Sequence, residues 1–249
     1  MTQTRIFHTV NEGIFLKNRD VSILFDGIHN GTEVGCSDMP IGLLKNLEHG
    51  CGLFADLDGI FFTHLHIDHF EQKKADAYVE GRKIYAYGPG WEKSNIHIQK
   101  IDNDVLKMRI KHLQIFAVKT VHDGERFVKD AHVSYLVDTG EEAWVLGGDA
   151  VLTVHEAEIF RKLTKHEISG VFVNVYHILA EKQTAFIQTL QPEHVYLYHM
   201  PFPEDDVNHL RMIKKAALKT YPAENPEVEE LQHMSWVPQQ EEIENRKIM

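Results

Sequence analysis

Short apolar runs recur along the chain, and each is bounded by glycine, asparagine, aspartate or another turn-forming residue. Runs of this length, rich in β-branched and aromatic residues, favour buried strands over helices. The clearest example is Ile60-Phe61-Phe62, which stops abruptly at a polar stretch. We predict strands in segments 12–18, 21–27, 59–64, 83–90, 113–124, 131–138, 143–150, 168–177 and 193–200.

Several of these strands are followed by segments in which apolar residues recur at helical spacing. We predict helices in segments 68–81, 153–164, 181–190 and 204–221, and another that starts near Pro40 and ends near Gly50. Strands dominate each half of the chain and helices follow them, which is typical of two sheets with helices packed outside. The pattern therefore predicts a mixed α/β (α+β) fold, a four-layer αββα sandwich. No linker or repeat divides the 249 residues, so we expect a single domain over residues 1–249.

Composition narrows the possible functions. Hydrophobic residues make up 43% of the chain, which is enough for a substantial core, and the formal net charge of -11 argues against broad electrostatic capture of nucleic acid. Seven glutamates stand against two basic residues from about residue 222 onward, so we expect an acidic, solvated C-terminal segment. The absence of a long apolar stretch and of a signal-peptide pattern predicts no membrane span and a cytoplasmic location.

Four side chains that can bind metal ions follow the predicted strand 59–64 within the sequence THLHIDHF. They are His64, His66, Asp68 and His69. Imidazole and carboxylate groups suit zinc and related divalent ions. In contrast, Cys36 and Cys51 have no partner at ligand spacing, so we expect neither to bind metal or take part in chemistry.

Three further candidates stand where later apolar strands end. His122 follows one strand, Asp149 follows another in LGGDA, and His199 follows a third in YLYHMP. Parallel strands would bring these ends to one edge of a sheet, where loops commonly carry function. The sequence therefore predicts a cluster of seven donors, and two ions held about 3.5–4 Å apart could activate a water molecule between them.

The segment THLHIDH resembles the HxHxDH signature of the metallo-β-lactamase superfamily, and TVHDG, GGDA and LYHMP match its later positions in the expected order from about Gly13 to Met200. The resemblance implies a metallo-β-lactamase type of αββα fold and a dinuclear centre. By the same resemblance, His64, His66 and His122 hold one ion, Asp68, His69 and His199 hold the other, and Asp149 bridges them. It also implies that Asp26, at the close of an early strand, supports the metal-binding loop.

Two more histidines are candidates for supporting the metal ligands or for lining the pocket. His132 begins the strand that follows His122, and His177 ends the predicted strand 168–177. A core or surface position is an equally reasonable interpretation of His177 and the preferred one of His132. We expect Asp68, which would lie beside the activated water, to be the catalytic acid–base residue.

The resemblance predicts a hydrolase that uses a metal-bridging hydroxide on a small molecule with an ester, lactone or phosphoester bond. The alternative is a metal-dependent phosphodiesterase or ribonuclease. A non-catalytic metal-binding protein and a di-iron oxidoreductase are weaker alternatives, because all seven ligands are present and His66 stands where di-iron oxidoreductases of the superfamily have glutamate. The short spacers resemble, loosely, the L-ascorbate-6-phosphate-lactonase-like branch. We expect zinc, with manganese or iron as alternatives, and a small-molecule substrate rather than nucleic acid; the oligomeric state stays open.

Overall fold

The computed structural model describes residues 4–237, and its first sheet has six strands. In spatial order β14-β1-β2-β3-β4-β5, the first three pairings are antiparallel and the last two are parallel. The strands are β1 (Arg5–His8), β2 (Ile14–Asn18), β3 (Val21–Phe25), β4 (Gly59–Phe61), β5 (Tyr85–Tyr87) and, from the other end of the chain, β14 (Ser235–Trp236).

The second sheet has eight strands, in the order β13-β12-β11-β10-β9-β8-β7-β6. Its strands from β6 to β10 pair antiparallel, and those from β10 to β13 pair parallel. They are β6 (Gln99–Lys100), β7 (Val105–Ile110), β8 (Leu113–Thr120), β9 (His132–Asp138), β10 (Ala143–Leu146), β11 (Ile168–Val173), β12 (His194–Leu197) and β13 (Val228–Glu230).

Helices cover the outer face of each sheet. A buried apolar cluster between the sheets includes Phe25, Phe61 and Tyr135, and two further clusters lie between each sheet and its helices. The predicted αββα sandwich is therefore confirmed. The helices are α1 (Ile41–His49) and α2 (Gln72–Val79) on the first sheet, and α3 (Val154–Leu163), α4 (Val175–Leu179), α5 (Glu181–Leu190) and α6 (Leu210–Thr220) on the second.

Several predicted elements extend beyond the observed ones, three of them for an identifiable local reason, and the strands β1, β6 and β7 were not predicted. Strand β11 ends at Val173 and the chain turns into α4, because Asn174 caps that helix through its side chain. Helix α2 starts only at Gln72, since the residues before it form the loop that carries His66, Asp68 and His69, and Glu71 caps the helix. The last helix begins at Leu210 rather than at residue 204, after a short 3₁₀ turn at Pro203–Asp205.

The segment from residue 222, expected to be an acidic surface feature, contains two short edge strands in its described part. Strand β13 extends the second sheet beside β12, and β14 extends the first sheet beside β1. Such two- and three-residue strands have no periodicity of their own and form because a sheet edge offers hydrogen-bonding partners. Residues 238–249 lie outside the described part of the chain.

Strand ends from both sheets meet at one rim of the sandwich. The first sheet contributes the ends of β3 and β4, and the second contributes the ends of β8, β10, β11 and β12 and the start of β9. The candidate residues of the sequence motifs lie at these ends. Within residues 4–237, no helix combines the length and apolar character that crossing a membrane requires.

Candidate metal centre

The loop after β4 is fixed by Asp26, the residue that follows β3. The Asp26 carboxylate accepts hydrogen bonds from the Thr63 backbone N–H (2.8 Å), from Thr63 Oγ1 (2.8 Å) and from His69 Nδ1 (3.1 Å). Asp26 adopts a left-handed backbone conformation with φ of 45°, which is uncommon outside glycine and concentrates at functional sites. These contacts tie the end of β3 to the loop that carries His64 and His69.

His64, His66 and His122 form the first group of donors. One nitrogen of each ring lies within 4.8 Å of the others, and His66 Nδ1 is 3.1 Å from His122 Nε2. The other ring nitrogens are bound elsewhere: His122 Nδ1 donates to the Asp123 carbonyl (2.6 Å), and His66 Nε2 lies 2.9 Å from Asp130 Oδ2.

The hydrogen bonds also select the tautomer of His64. Thr63 Oγ1 uses its single hydrogen toward Asp26, so it accepts from His64 Nδ1 at 3.0 Å. His64 Nε2 is left with a free lone pair, and it is buried without a hydrogen-bond partner. Three unprotonated ring nitrogens therefore face one point, as a metal ion requires.

The second group contains Asp68, His69, His199 and a residue that the sequence motifs did not include, Glu12. His199 Nε2 lies 2.7 Å from Glu12 Oε1 and 3.8 Å from Asp68 Oδ2, and His69 Nε2 lies 4.0 Å from Glu12 Oε1. His199 also has a positive φ of 58°. A lone glutamate before a strand belongs to no spacing pattern, so nothing in the sequence singled out Glu12.

Asp149 stands between the two groups. Its Oδ2 lies 3.4 Å from both His69 Nε2 and His199 Nε2, and 3.9 Å from His122 Nε2. Its other oxygen, Oδ1, accepts a hydrogen bond from Asn174 Nδ2 at 2.9 Å. A carboxylate in this position can contact ions on both sides.

The electrostatics of the cluster follow from burial and close charges. Burial alone lowers the pKa of His69 and of His199, but Glu12 and Asp149 outweigh it and raise both pKa values well above 6.5. Burial raises the pKa of Glu12, whereas His64 has a pKa well below 6.5 because of burial and the neighbouring His69. The buried carboxylates therefore need protons or cations beside them, and the donor set fits divalent metal ions.

His132 and His177 occupy different positions around this centre. His132 Nε2 accepts the backbone N–H of Asp149 (3.1 Å), and its Nδ1 donates to Thr120 Oγ1 (2.7 Å), so it orients the GGD turn. His177 lies fully buried inside α4, where its Nδ1 accepts the Asn174 backbone N–H (3.0 Å). His177 therefore does not end a strand, contrary to the sequence prediction, and among the described residues it is not part of the cavity wall.

A cavity of about 250 Å³ opens beside the second group of donors. Its wall also includes Cys36, whose Sγ lies 3.7 Å from Asp68 Oδ2, although spacing had suggested no place for this residue at the site. Burial and the nearby carboxylates raise the pKa of the Cys36 thiol, so it stays protonated at neutral pH. The remaining wall combines apolar and neutral polar side chains, among them Val34, Val175, Leu210, Asn174, Tyr176 and Asn208.

No family model matches this chain, and no curated protein matches it. Solved structures do. The metallo-beta-lactamase fold protein YhfI from Bacillus subtilis is 12% identical with a TM-score of 0.57, over 94% of this chain and 99% of that one. A possible metal-dependent hydrolase from Veillonella parvula is 13% identical with a TM-score of 0.64, over 94% and 98%.

A third similar structure is CmlA, a diiron beta-hydroxylase from Streptomyces venezuelae. It is 12% identical with a TM-score of 0.62 over 95% of this chain, which spans only 54% of the hydroxylase. At these identities the comparisons show the fold, and the chain has the metallo-β-lactamase fold expected from its motifs. Its structural neighbours include metal-dependent hydrolases, whereas the hydroxylase shows that neighbours of this fold also perform other reactions.

Proposed function

We propose that the protein is a metal-dependent hydrolase that acts on a small molecule at a dinuclear centre. The observation that carries the proposal is the convergence of donors from both sheets around Asp149 at the edge of a cavity. Several of these donor atoms are buried and have no hydrogen-bond partner within the described chain, namely His64 Nε2, His69 Nε2 and His199 Nε2. Buried polar atoms rarely stay unsatisfied unless they serve a ligand.

The two groups of donors define two metal positions. His64, His66 and His122 would hold the first ion and Asp68, His69 and His199 the second, with Asp149 in contact with both. We propose zinc for the first position, because three imidazoles suit it. Divalent ions held by these residues would lower the pKa of a bound water and stabilise developing negative charge.

The chain's own side chains orient the reacting groups. Asp68 lines the cavity, and its Oδ2 lies 3.7 Å from Cys36 Sγ and 3.8 Å from His199 Nε2, both longer than a strong hydrogen bond. It can therefore accept a proton from the nucleophile and deliver it to the leaving group. Asn174 holds Asp149 in place, and Tyr176 and Asn208 offer neutral hydrogen-bonding groups to a substrate.

The cavity supports a small-molecule substrate with an ester, lactone or phosphoester bond. Its volume is slightly below the usual range of ligand pockets, and among the described residues its wall includes no lysine or arginine. A polynucleotide would need a longer cationic groove, which is why the phosphodiesterase or ribonuclease function stays the alternative. The resemblance to the L-ascorbate-6-phosphate-lactonase-like branch provides candidate lactones for the substrate tests.

A second candidate function is oxidation at a di-iron centre. The observation that favours it is Glu12, which adds a third carboxylate to the cluster beside Asp68 and Asp149. Carboxylate-rich sites suit iron and manganese better than zinc. Oxygen consumption by the iron-loaded protein in the presence of a reductant, measured with each member of the substrate panel, would separate this candidate from a hydrolase.

The proposal is tested by metal analysis and hydrolysis on the same samples. Protein purified without chelator should contain about two divalent ions per chain and should hydrolyse at least one member of a panel of esters, lactones, phosphomonoesters and phosphodiesters. His122→Ala should lose metal and activity, whereas His155→Ala, at an exposed position on α3, should keep both. Metal content near zero after reconstitution with zinc or manganese would refute the proposed centre.

A further inference from the structure

Glu12 is held rigidly at the metal centre by the turn between β1 and β2. Thr9 and Gly13 close this turn through a backbone hydrogen bond of 2.8 Å, and a Cβ at Gly13 would collide with the Thr9 side chain. Asn11 has a positive φ of 53°, accepts the Ser37 backbone N–H at 3.1 Å and donates to the Ser37 carbonyl. The turn is thereby tied to the loop that carries Cys36, and Glu12 has little freedom to leave.

The same turn is tied to the strand end that carries His199. The backbone N–H of His199 donates to the Asn11 carbonyl (2.8 Å), which also faces His8 Nε2 at 2.8 Å. Glu12 and His199 are therefore positioned by one hydrogen-bonded unit, although they are far apart in the sequence. A shared function of the two side chains is the simplest reason for this arrangement.

The Glu12 carboxylate is fully buried, and neither of its oxygens has a hydrogen bond of good geometry within the described residues. Oε1 approaches His199 Nε2 to 2.7 Å, yet Nε2 is also without an aligned partner. Two buried donors that lie close together without pointing at each other are typical of ligands of one ion. A buried carboxylate without such a partner would be strongly destabilising.

Glu12 and the other donors surround one point. His69 Nε2 and His199 Nε2 lie 4.0 and 2.7 Å from Glu12 Oε1, and each lies 3.4 Å from Asp149 Oδ2. In an octahedral shell with bonds of about 2.1 Å, neighbouring donors are about 3.0 Å apart and opposite donors about 4.2 Å. The observed separations of 2.7–4.0 Å are close to this range.

We propose that Glu12 is a fifth protein ligand of the second metal position, and that this position therefore selects manganese(II) or iron(II) over zinc. The inference rests on the proposed dinuclear centre and deepens it. Four of its donors, from Glu12, Asp68, His69 and His199, form one group, and Asp149 Oδ2 adds a third carboxylate 3.4 Å from both imidazoles. Zinc prefers about four ligands, whereas manganese and iron accept six with a large share of oxygen donors. The first position, with three imidazoles, suits zinc, so the centre binds two different metals.

Metal binding tests the proposal without any substrate. Protein stripped with chelator is dialysed anaerobically against equimolar zinc and manganese, and its metal content is measured together with the EPR signal of bound manganese. We expect about one zinc and one manganese per chain in the wild type. Glu12→Gln, which keeps the size but removes the charge, should bind manganese at least about 10-fold more weakly and keep its zinc.

Two further variants separate ligation from a general loss of structure. Glu12→Asp keeps a carboxylate one methylene shorter and should recover part of the manganese affinity. Asp138→Asn changes another buried carboxylate, at the opposite end of β9, where Asp138 is bound to Thr164 and His166. This control should bind zinc and manganese as the wild type does.

Each outcome has one meaning. Equal manganese affinity in the wild type and Glu12→Gln would overturn the role of Glu12 and leave the dinuclear hydrolase standing. A wild type that fills both positions with zinc under competition would overturn the selectivity. A wild type that binds no metal at all would instead refute the proposed function on which the inference rests.

Discussion

At the residue scale, the carboxylates of the centre differ in what holds them. Asp149 is fixed by Asn174, and Glu12 is fully buried on a braced turn. Asp68 and Asp149 both line the cavity with 16% of their side chains exposed, but the contacts of Asp68 Oδ2 are long, 3.7 Å to Cys36 Sγ and 3.8 Å to His199 Nε2. Of the three, Asp68 is the one free enough to exchange protons with a bound molecule.

Asp68→Asn should therefore lower turnover by about 10²-fold or more, the usual scale of general acid–base catalysis. The substitution preserves shape but removes the negative charge and the basicity. Turnover on the best substrate found is compared with metal content of the same sample, because Asp68 is also a proposed ligand. A variant that keeps both metals and near-normal turnover would show that Asp68 is not the acid–base residue.

At the element scale, the loop between β8 and β9 packs against the proposed first metal position. Phe127 packs against the rings of His66 and His122, with centroids 4.9 and 5.1 Å away, and Asp130 Oδ2 lies 2.9 Å from His66 Nε2. A carboxylate on the far nitrogen of a metal-binding histidine orients the ring and makes it a stronger ligand. Asp130 is itself largely exposed, so the fold does not depend on it.

Asp130→Ala should weaken zinc binding at the first position by about 10- to 100-fold, the usual effect of removing such a partner. The melting temperature of the metal-free protein should hardly change. Zinc affinity is measured by chelator competition, with the neighbouring exposed Lys129→Ala as the matched control. Equal zinc affinity in the two variants would contradict a positioning role for Asp130.

The turn after β10 is the second element on which the site depends. Gly148 has a φ of 63°, and a Cβ there would lie 2.8 Å from His132 Nε2 and 2.9 Å from Thr63 Cβ. Gly140 also has a positive φ, of 87°, but a Cβ there would meet nothing within 4 Å. The two glycines share a backbone requirement and differ in their surroundings.

Gly140→Ala should thus cost about 1 kcal/mol of stability, which is the conformational penalty alone. Gly148→Ala should cost more and should also displace Asp149 and lower the metal content, because its Cβ pushes on His132 and Thr63. Urea denaturation and metal analysis of both variants test this. If the two variants behave alike, close packing around Gly148 does not position Asp149.

At the scale of the whole molecule, the sandwich buries several histidines as neutral groups. Burial is the main cause that lowers the pKa of His29, His177 and His233, each to about 4. Their folded-state pKa values lie below the unfolded value near 6.5, so the unfolded chain takes up protons first as the pH falls. Stability is thus fully retained above about pH 6.5 and is lost progressively toward pH 4.

His177→Asn should make stability less sensitive to acid. In the wild type this residue can contribute up to about 1.4 kcal/mol per pH unit below pH 6.5. Asparagine offers an oxygen near the position of Nδ1 and does not titrate. Unfolding free energies of metal-free wild type and variant at several pH values between about 7 and 5 give the two slopes. Identical slopes would show that His177 does not contribute to acid sensitivity.

The sequence by itself was sufficient for what depends on local spacing. Apolar runs identified most long strands, and the histidine and aspartate motifs marked the strand ends that meet at one rim. These signals are visible in the sequence because the alternation of buried strands and polar loops is a short-range pattern. His64, His66 and Asp149 were therefore located from the motifs before any contact was known.

The tertiary structure alone decided which other residues join the centre. Glu12, Asp130 and Cys36 follow no motif, and each reaches the site because distant segments pack together. The edge strands β13 and β14 likewise form because they pair with β12 and β1, respectively. His177 could not be placed from its run of apolar neighbours, because Asn174 turns the chain into a helix through its own side-chain cap. Burial and contacts between distant segments of the chain depend on the whole fold. A glutamate in the sequence therefore does not reveal that a histidine far along the chain will lie beside it.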